Sequence, residues 1–287
     1  MKPASPSVSE ELARATRRLL EAGVATARLD AEVLLRHAWQ KSEAWLHAHP
    51  TESVPSEIVT RFRALVDRRV RREPLAYVVG GKEFWSLWFE LDSSVLVPRP
   101  ETEHLVEAAL ELLRETPTPR IVDAGSGSGC IAVALGTERP DASLLAVDSE
   151  ADALALAARN VSRYGLGDRV RLSRADLRHE ALDGPFDLFV SNPPYVPSAR
   201  ISELDPEISR WEPRVALDGG EDGLELFRAF VARAARALGP GGSVALEVGE
   251  GQERAVAEIL SSAGFENVQS RCDYAGRPRV LTARKRE

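Results

Sequence analysis

The sequence predicts an α/β protein whose main domain has a mostly parallel β-sheet of seven strands. From residue 120 onwards, short apolar runs alternate with longer segments of helical periodicity. The predicted strands cover residues 121–122, 143–147, 170–173, 186–191, 243–248, 266–270 and 279–283. Repeated strand–helix units build a parallel sheet with helices on both faces, and such sheets bind ligands at the carboxyl ends of their strands.

A small helical domain is predicted over residues 1–75. Leu12 and Leu19 belong to one helically spaced set, a second helix is predicted to have Asp30 as its N-cap, and a third covers residues 56–70. No set of residues suited to catalysis lies in this domain. We therefore expect it to dock a substrate.

A β-hairpin connector is predicted over residues 76–98. Two aromatic-rich runs flank Gly80-Gly81, a dipeptide suited to a tight hairpin turn. The segment Pro98-Arg-Pro-Glu-Thr-Glu103 follows, and a helix is predicted after it, with Glu101 or Thr102 as a candidate cap. The remaining residues, 99–287, form the predicted sheet domain.

The composition is that of a soluble globular protein. Of the 287 residues, 44% are hydrophobic and 28% are charged, and no apolar run is long enough to span a bilayer. Residues 1–10 lack the hydrophobic region of a signal peptide. Cys130 and Cys272 make neither a disulfide framework nor a metal site. We expect a cytoplasmic protein without a bound metal, and a monomer.

Charge is distributed unevenly along the chain. Residues 1–75 carry 13 Lys and Arg against 10 Asp and Glu, whereas residues 76–287 carry 24 against 34. Such an acidic body is a poor general binder of nucleic acid, because phosphate neutralisation drives that affinity. One basic group, here called the arginine cluster, comprises Arg61, Arg63, Arg68, Arg69, Arg71 and Arg72. We interpret it as the solvated side of a helix, with a partner-docking surface as the alternative.

A glycine-rich loop, Asp123-Ala-Gly-Ser-Gly-Ser-Gly129, follows the first predicted strand of the sheet. Its glycines allow a ligand to approach the backbone closely, but the sixth position of the dinucleotide fingerprint is Cys130. Asp148, at the next strand end, is placed to accept hydrogen bonds from ribose hydroxyls, and Asp176-Leu177 to contact an adenine edge. This pattern favours a nucleoside cofactor without pyrophosphate, such as S-adenosylmethionine, over NAD.

The segment Asn192-Pro-Pro-Tyr195 ends the strand at 186–191. Consecutive prolines cannot continue a sheet ladder, and the residue before a proline is held extended. The side-chain oxygen of Asn192 and the carbonyl oxygen of Pro193 would then form a pair of acceptors, with an aromatic ring nearby. Such a pair suits a planar –NH2 group, although an ordinary proline turn after a strand remains the alternative.

These motifs together resemble those of the class I S-adenosylmethionine-dependent methyltransferases that methylate planar amino nitrogens. The segment 98–103 and the helical N-terminal domain narrow the resemblance to the peptide-chain release factor glutamine N5-methyltransferases, the HemK/PrmC family. The resemblance extends from about Leu12 to Ala283. It implies a Rossmann-like fold with a mostly parallel seven-stranded sheet.

The resemblance also implies roles for individual residues. The implied cofactor-binding residues are Gly125, Ser126, Gly127, Ser128, Gly129, Asp148, Asp176, Leu177 and Asn192. The implied substrate-binding residues are Asn192, Pro193, Pro194 and Tyr195, of which Asn192 and Pro193 are catalytic. Some relatives have a larger aromatic after the acidic residue, so we expect backbone or apolar contact from Leu177. The implied product is S-adenosylhomocysteine, and the implied partners are class I release factors, which carry the acceptor glutamine in a Gly-Gly-Gln loop.

Three alternatives stay open at this point. An N6-adenine methyltransferase of DNA or RNA would present the same –NH2 group, flipped out of the stack, to the same motif. A relative that methylates a glutamine of a ribosomal protein is a second alternative, although the segment 98–103 favours release factors. A non-catalytic nucleoside-binding protein is the third, but it predicts a damaged motif, and both the glycine loop and Asn192-Pro-Pro-Tyr195 are intact.

Overall fold

The computed structural model describes residues 6–286, and the chain divides into two compact units. The first contains the chain up to Gly81 together with Asp205–Trp211, and the second contains Lys82–Leu204 and the chain from Glu212 onwards. The helices are α1 (Val8–Glu21), α2 (Ala27–Trp39), α3 (Glu43–Ala48), α4 (Ser56–Val70), α5 (Leu75–Val79), α6 (Thr102–Leu112), α7 (Cys130–Glu138), α8 (Ala151–Arg163), α9 (Pro206–Ser209), α10 (Glu225–Ala237) and α11 (Glu253–Ser262). The strands are β1 (Gly81–Phe84), β2 (Leu87–Glu90), β3 (Arg120–Ala124), β4 (Ser143–Asp148), β5 (Val170–Arg174), β6 (Phe186–Ser191), β7 (Leu238–Glu247), β8 (Phe265–Cys272) and β9 (Pro278–Lys285). Short 3-10 turns cover Ser198–Glu203 and Arg214–Ala216.

The first unit is a helical bundle around one apolar core. The sides of α1, α2 and α4 that face one another bury Leu19, Leu34 and Phe62 completely. The start of α1 is fixed by a capping box, in which the Ser7 hydroxyl accepts from the Glu10 N–H and the Glu10 carboxylate accepts from the Ser7 N–H. Among residues 6–286, no helix is both long enough and apolar enough to cross a membrane.

A buried ion network joins three helices of the first unit. Arg69, only 5% exposed, donates to Asp30 at 2.7 Å and pairs with Glu207 of α9 at 2.8 Å. Arg72 binds the same Glu207 carboxylate at 2.6 Å. The prediction that Asp30 caps α2 is therefore wrong: the helix begins at Ala27, and Asp30 lies buried inside it as the partner of Arg69. A buried charge needs such a partner, because desolvation without one is costly.

The arginine cluster is largely neutralised within the first unit, contrary to its interpretation as a solvated helix side. Arg63 pairs with the buried Glu11, and Arg68 pairs with Glu73. Within residues 6–286, only two members of the cluster, Arg61 and Arg71, are exposed and lack an ion pair. Most of the cluster therefore holds the unit together.

The hairpin turn lies later in the chain than predicted. Residues 77–79 belong to α5, and Gly80 ends this helix in the left-handed region at φ 80°. The strands β1 and β2 are joined instead by Trp85-Ser86, both at positive φ of 54° and 57°. The Trp85 backbone N–H donates to the Glu103 carboxylate and its indole N–H to Glu138, each at 2.8 Å. These side-chain contacts hold the turn, whereas the sequence predicts a turn made by glycines.

The second unit contains a seven-stranded sheet in the order β5-β4-β3-β6-β7-β9-β8, and this confirms the predicted α/β class. The strands from β5 to β7 pair in parallel, and β9 runs antiparallel to both its neighbours. The chain moves outwards from β3 through β4 to β5 and then returns to β6 on the other side of β3. Open α/β sheets bind ligands outside the carboxyl ends of the strands at such a reversal, so the ends of β3 and β6 should flank the site.

Candidate active site

A cavity of about 760 Å³ opens at the carboxyl edge of the sheet, within the second unit. Its volume lies in the range of small-molecule sites. Nine of the predicted site residues line it: Gly125, Ser126, Gly127, Ser128, Asp148, Asp176, Leu177, Asn192 and Pro194. The other three predicted residues, Gly129, Pro193 and Tyr195, lie outside its lining.

The glycine loop connects β3 to α7 by turning sharply over the end of β4. The N–H groups of Gly125 and Ser126 both donate to the Val147 carbonyl, at 2.8 and 3.0 Å. Gly127 has φ 51°, and a Cβ built on it would meet nothing within 4 Å. Gly129, at φ 78°, precedes α7, and a Cβ there would approach the Ala157 Cβ to 3.3 Å. Glycine is thus required for the backbone conformation at both positions, and for close packing at Gly129.

The Asp148 carboxylate ties the glycine loop to the end of β4. One oxygen accepts from the Gly127 N–H at 2.8 Å, and the other accepts from the Glu150 N–H at 3.0 Å. Burial raises the pKa of Asp148, while these two backbone hydrogen bonds lower it. Since each carboxylate oxygen can accept two hydrogen bonds, acceptor capacity remains towards the cavity.

Asp176 and Leu177 differ in what they present after β5. The Asp176 carboxylate is bound by the Arg178 guanidinium at 2.8 Å, and this hydrogen bond is the main reason that its pKa is lowered. Leu177 is 3% exposed, lines the cavity and belongs to the apolar core under the sheet end. An apolar contact from Leu177 is therefore available to a ligand, whereas the charge of Asp176 is already neutralised.

Two buried polar atoms near the glycine loop have no hydrogen-bond partner within residues 6–286. The Ser126 hydroxyl is one, and its residue is 4% exposed and lines the cavity. The other is the Asp123 Oδ1 atom, whose residue is fully buried, and burial raises the pKa of this carboxyl to about 7. Buried polar groups normally have partners, so the unsatisfied Ser126 hydroxyl and the open space beside Gly127 fit a polar ligand in the loop.

Asn192 lies where β6 stops, held from both sides. The preceding Ser191 hydroxyl donates to the Ala124 carbonyl at 2.6 Å, which fixes the end of β6 against β3. The Asn192 side-chain nitrogen donates to the Thr102 hydroxyl at 3.3 Å, and Thr102 donates to the Glu247 carboxylate at 2.7 Å. Thr102 opens α6 without capping it. Its hydroxyl instead connects the ends of β6 and β7.

Glu247 is a buried ionisable group beside the site. It is 2% exposed, and burial raises its pKa to about 7, while the Thr102 hydrogen bond lowers it. Glu101 raises this pKa further, and Arg279 and Arg99 lower it. Glu247 is therefore a carboxylate above about pH 7.

The loop after Asn192 is held by backbone contacts and one side chain. Val196 donates to the Leu217 carbonyl and accepts from the Gly219 N–H, each at 2.9 Å. The Gln252 side chain donates to the carbonyls of Tyr195 and Gly223, at 2.9 and 3.2 Å. A Cβ on Gly223 would lie 2.5 Å from the Tyr195 carbonyl oxygen, so the two segments pack backbone to backbone.

The segment 98–103 is held by polar contacts at several positions. Lys82 donates to the Pro98 carbonyl at 2.8 Å. Arg99 donates to both carboxylate oxygens of the buried Glu212 at 2.7 Å. From the sequence, this segment supports the family resemblance and offers Glu101 or Thr102 as a helix cap. The contact between Thr102 and Asn192 gives it a direct relation to the site.

Several residues of the site escaped sequence reasoning. Thr102 stood in a conspicuous segment, but a helix cap explained it equally well. Glu247 and Gln252 carried no signal, because each is brought to the site by packing between distant parts of the chain. Within residues 6–286, no three His, Cys, Asp or Glu side chains group so as to hold a metal ion.

The sheet order, the glycine loop after β3 and the acidic residue ending β4 define a class I methyltransferase. Two family descriptions match the chain, the PrmC N-terminal domain over residues 10–80 and the methyltransferase small domain over residues 103–204. The chain belongs to the release factor glutamine methyltransferase family, as its relatives establish.

The relatives match the chain over nearly its whole length. A release factor glutamine methyltransferase of Nitratidesulfovibrio vulgaris is 44% identical, covering 99% of this chain and 98% of the relative. One of Bradyrhizobium diazoefficiens is 42% identical, covering 93% and 91%. Among solved structures, the hMettl16 catalytic domain with a MAT2A 3'UTR hairpin has a TM-score of 0.59 at 17% identity, covering 76% of this chain and 81% of that one. At 17% identity, this comparison shows a shared fold and nothing more.

Proposed function

We propose that the protein transfers a methyl group from S-adenosylmethionine to the side-chain amide nitrogen (N5) of the glutamine in the Gly-Gly-Gln loop of class I release factors. One observation carries the proposal. The Asn192 side chain lies on the cavity wall with its nitrogen engaged by Thr102, so that its oxygen is available to accept from a planar –NH2 group. The names of the relatives support the acceptor. The proposal also includes a cytoplasmic, monomeric enzyme.

The residues around the glycine loop fit the cofactor. Asp148 would accept from the ribose hydroxyls with its remaining lone pairs, and Leu177 would pack against the adenine. The unsatisfied Ser126 hydroxyl and the open side of Gly127 would receive polar groups of the ligand. Asp176 lies on the rim of the cavity, where it would contact the cofactor without adding a free charge, because Arg178 neutralises its carboxylate. When bound, S-adenosylmethionine supplies an electrophilic methyl group.

The protein's task is to hold and polarise a poor nucleophile. The lone pair of an amide nitrogen is delocalised into its carbonyl group. Oxygen atoms of Asn192 and Pro193 would accept both N–H bonds of the acceptor amide, which raises the electron density on its nitrogen as charge develops. Orienting two reacting groups in this way can contribute about 7–11 kcal/mol to lowering the barrier. Pro194, which lines the cavity, and Tyr195, which lies beyond its lining, complete the proposed acceptor site.

An N6-adenine methyltransferase is the second candidate, because an exocyclic amino group of adenine offers the same two N–H bonds to Asn192 and Pro193. Such an enzyme must hold a flipped-out base and its phosphates, which favours a basic surface. Residues 76–287 instead carry 24 basic against 34 acidic side chains. The protein acceptor is therefore favoured.

The function is tested by offering three acceptors in parallel. The protein is incubated with methyl-labelled S-adenosylmethionine and either a class I release factor, double- and single-stranded DNA, or RNA. We expect label on the release factor alone. Label on adenine with an unlabelled release factor would establish the second candidate instead.

Asn192→Ala provides the matched test of the site. We expect turnover to be lost, because the acceptor amide loses its oxygen partner, while calorimetry should find S-adenosylhomocysteine binding nearly unchanged. Near-normal turnover of this variant would remove Asn192 from the reaction.

A further inference from the structure

Three side chains from separate elements form a hydrogen-bonded series beneath the cavity. Glu247 is the last residue of β7, Thr102 is the first of α6, and Asn192 follows β6. Glu247 and Thr102 are each only 2% exposed, and their oxygens lie 2.7 Å apart. The Asn192 nitrogen lies 3.3 Å from the same Thr102 oxygen. Asn192 and Thr102 both line the cavity, whereas Glu247 lies behind them and does not.

The hydrogen atoms available to the three side chains determine which group donates and which accepts in each hydrogen bond of the series. An ionised carboxylate accepts only, so the single hydroxyl hydrogen of Thr102 must be donated to Glu247. The Thr102 oxygen can then only accept from Asn192. Of the two ends of the Asn192 amide, only the nitrogen can donate, so the nitrogen faces Thr102 and the oxygen faces away. The two orientations of an asparagine amide are otherwise nearly equal in shape, and the hydrogen-bond network decides between them.

We propose that Glu247 and Thr102 are positioning residues, which hold the Asn192 amide with its oxygen directed to the acceptor nitrogen. This inference rests on the proposed function, in which the acceptor is a primary amide. A flipped Asn192 would present its own N–H groups to the N–H groups of the acceptor. The flip would therefore replace an attraction with a repulsion at the reacting nitrogen.

Thr102 offers the variants that separate orientation from structure. Thr102→Val keeps the shape and removes the hydroxyl, and Thr102→Ser restores it. Thr16→Val is the matched control, because the Thr16 hydroxyl is also buried but has no hydrogen-bond partner among the described residues 6–286, and it lies in α1 of the first unit. The assays are run at pH 8, where Glu247 is a carboxylate, since burial raises its pKa to about 7.

In kinetic assays we expect Thr102→Val to lower kcat by about 10- to 100-fold, which is the loss in rate expected when a reacting group is misplaced. Its Kd for S-adenosylhomocysteine should stay within about 2-fold of wild type, since Thr102 orients the acceptor side. Thr102→Ser should recover most of the lost turnover, and Thr16→Val should behave as wild type. Turnover of Thr102→Val close to wild type would overturn the inference. A Thr102→Ser variant with turnover as low as that of Thr102→Val would also overturn the inference, because the loss of turnover would then not be due to the missing hydroxyl.

A second readout does not depend on methyl transfer. In nitrogen–proton spectra, the side-chain NH2 signals of Asn192 are those lost in Asn192→Ala. We expect them to move strongly in Thr102→Val but little in Thr102→Ser and Thr16→Val. Unmoved signals in Thr102→Val would overturn the inference even if no acceptor were methylated. Wild-type protein that leaves the release factor unlabelled, with signals that move as expected, would instead refute only the proposed function.

Discussion

Replacing Glu247 by glutamine should stabilise the fold at high pH while impairing the reaction. Glu247 is 2% exposed, and burial raises the pKa of its carboxyl from 4.5 to about 7. Between these values the folded chain binds a proton that the unfolded chain has released. The contribution of Glu247 to the free energy of unfolding therefore falls as the pH rises through this window. Glutamine has nearly the same shape and does not titrate, so Glu247→Gln removes that loss.

The size of the effect follows from the pKa difference. At 1.36 kcal/mol per pH unit, raising the pKa from 4.5 to about 7 corresponds to about 3 kcal/mol when Glu247 is fully ionised. Most of this difference should develop between pH 5 and pH 8. For a unit of this size, the Tm of Glu247→Gln relative to wild type should be about 5–10 °C higher at pH 8 than at pH 5. Asp123, whose pKa burial also raises to about 7, contributes equally to both proteins and cancels.

Scanning calorimetry at the two pH values measures this difference. Glu250→Gln is a suitable control, because Glu250 is an exposed carboxylate three residues further on, and its substitution should give no such trend. A Tm difference between Glu247→Gln and wild type that is the same at pH 5 and pH 8 would refute the assignment of Glu247 as a buried carboxylate.

Three further predictions concern other parts of the chain. Asp148→Ala should weaken S-adenosylhomocysteine binding by at least about 10-fold in calorimetry, because the proposed ribose contact and the anchor of Gly127 would both be lost; an unchanged Kd would remove Asp148 from the proposed cofactor site. Gly129→Ala should lower the Tm, since its φ of 78° and the 3.3 Å approach to Ala157 disfavour a Cβ by about 1–2 kcal/mol; a Tm equal to wild type would contradict this. Arg69→Met should destabilise the first unit by about 3–5 kcal/mol by leaving the buried Asp30 unpaired, with S-adenosylhomocysteine binding retained; full stability in urea unfolding would argue against the buried network.

The arrangement of the sheet was predictable from the sequence because it depends on local patterns. Buried strands such as residues 186–191 are mostly apolar, with only Asp187 and Ser191 polar, and the polar residues that follow such strands fall at one edge of a parallel sheet. The position of Asp148 and Asn192 on one cavity follows directly from that rule. Their partners do not follow, because Thr102 and Glu247 reach Asn192 only through the packing of α6 and β7.

Local patterns failed where tertiary contacts override them. Gly80-Gly81 is the stronger turn signal, yet Gly80 ends a helix and Trp85-Ser86 makes the hairpin turn, because Glu103 binds the Trp85 N–H. The interpretation of the arginine cluster as a solvated helix side was wrong for a related reason. A row of arginines on a predicted helix gives no indication that Asp30 and Glu207, both distant in sequence, neutralise Arg69.

Mapping the methylated atom tests the central claim most directly. A class I release factor is incubated with the protein and S-adenosylmethionine, and its peptides are sequenced by tandem mass spectrometry. We predict one added methyl group, on the glutamine of the Gly-Gly-Gln loop, which is absent when that glutamine is replaced or when Asn192→Ala is used. A methyl group on any other residue, or none on the release factor while wild-type protein consumes S-adenosylmethionine with another acceptor, would contradict the account.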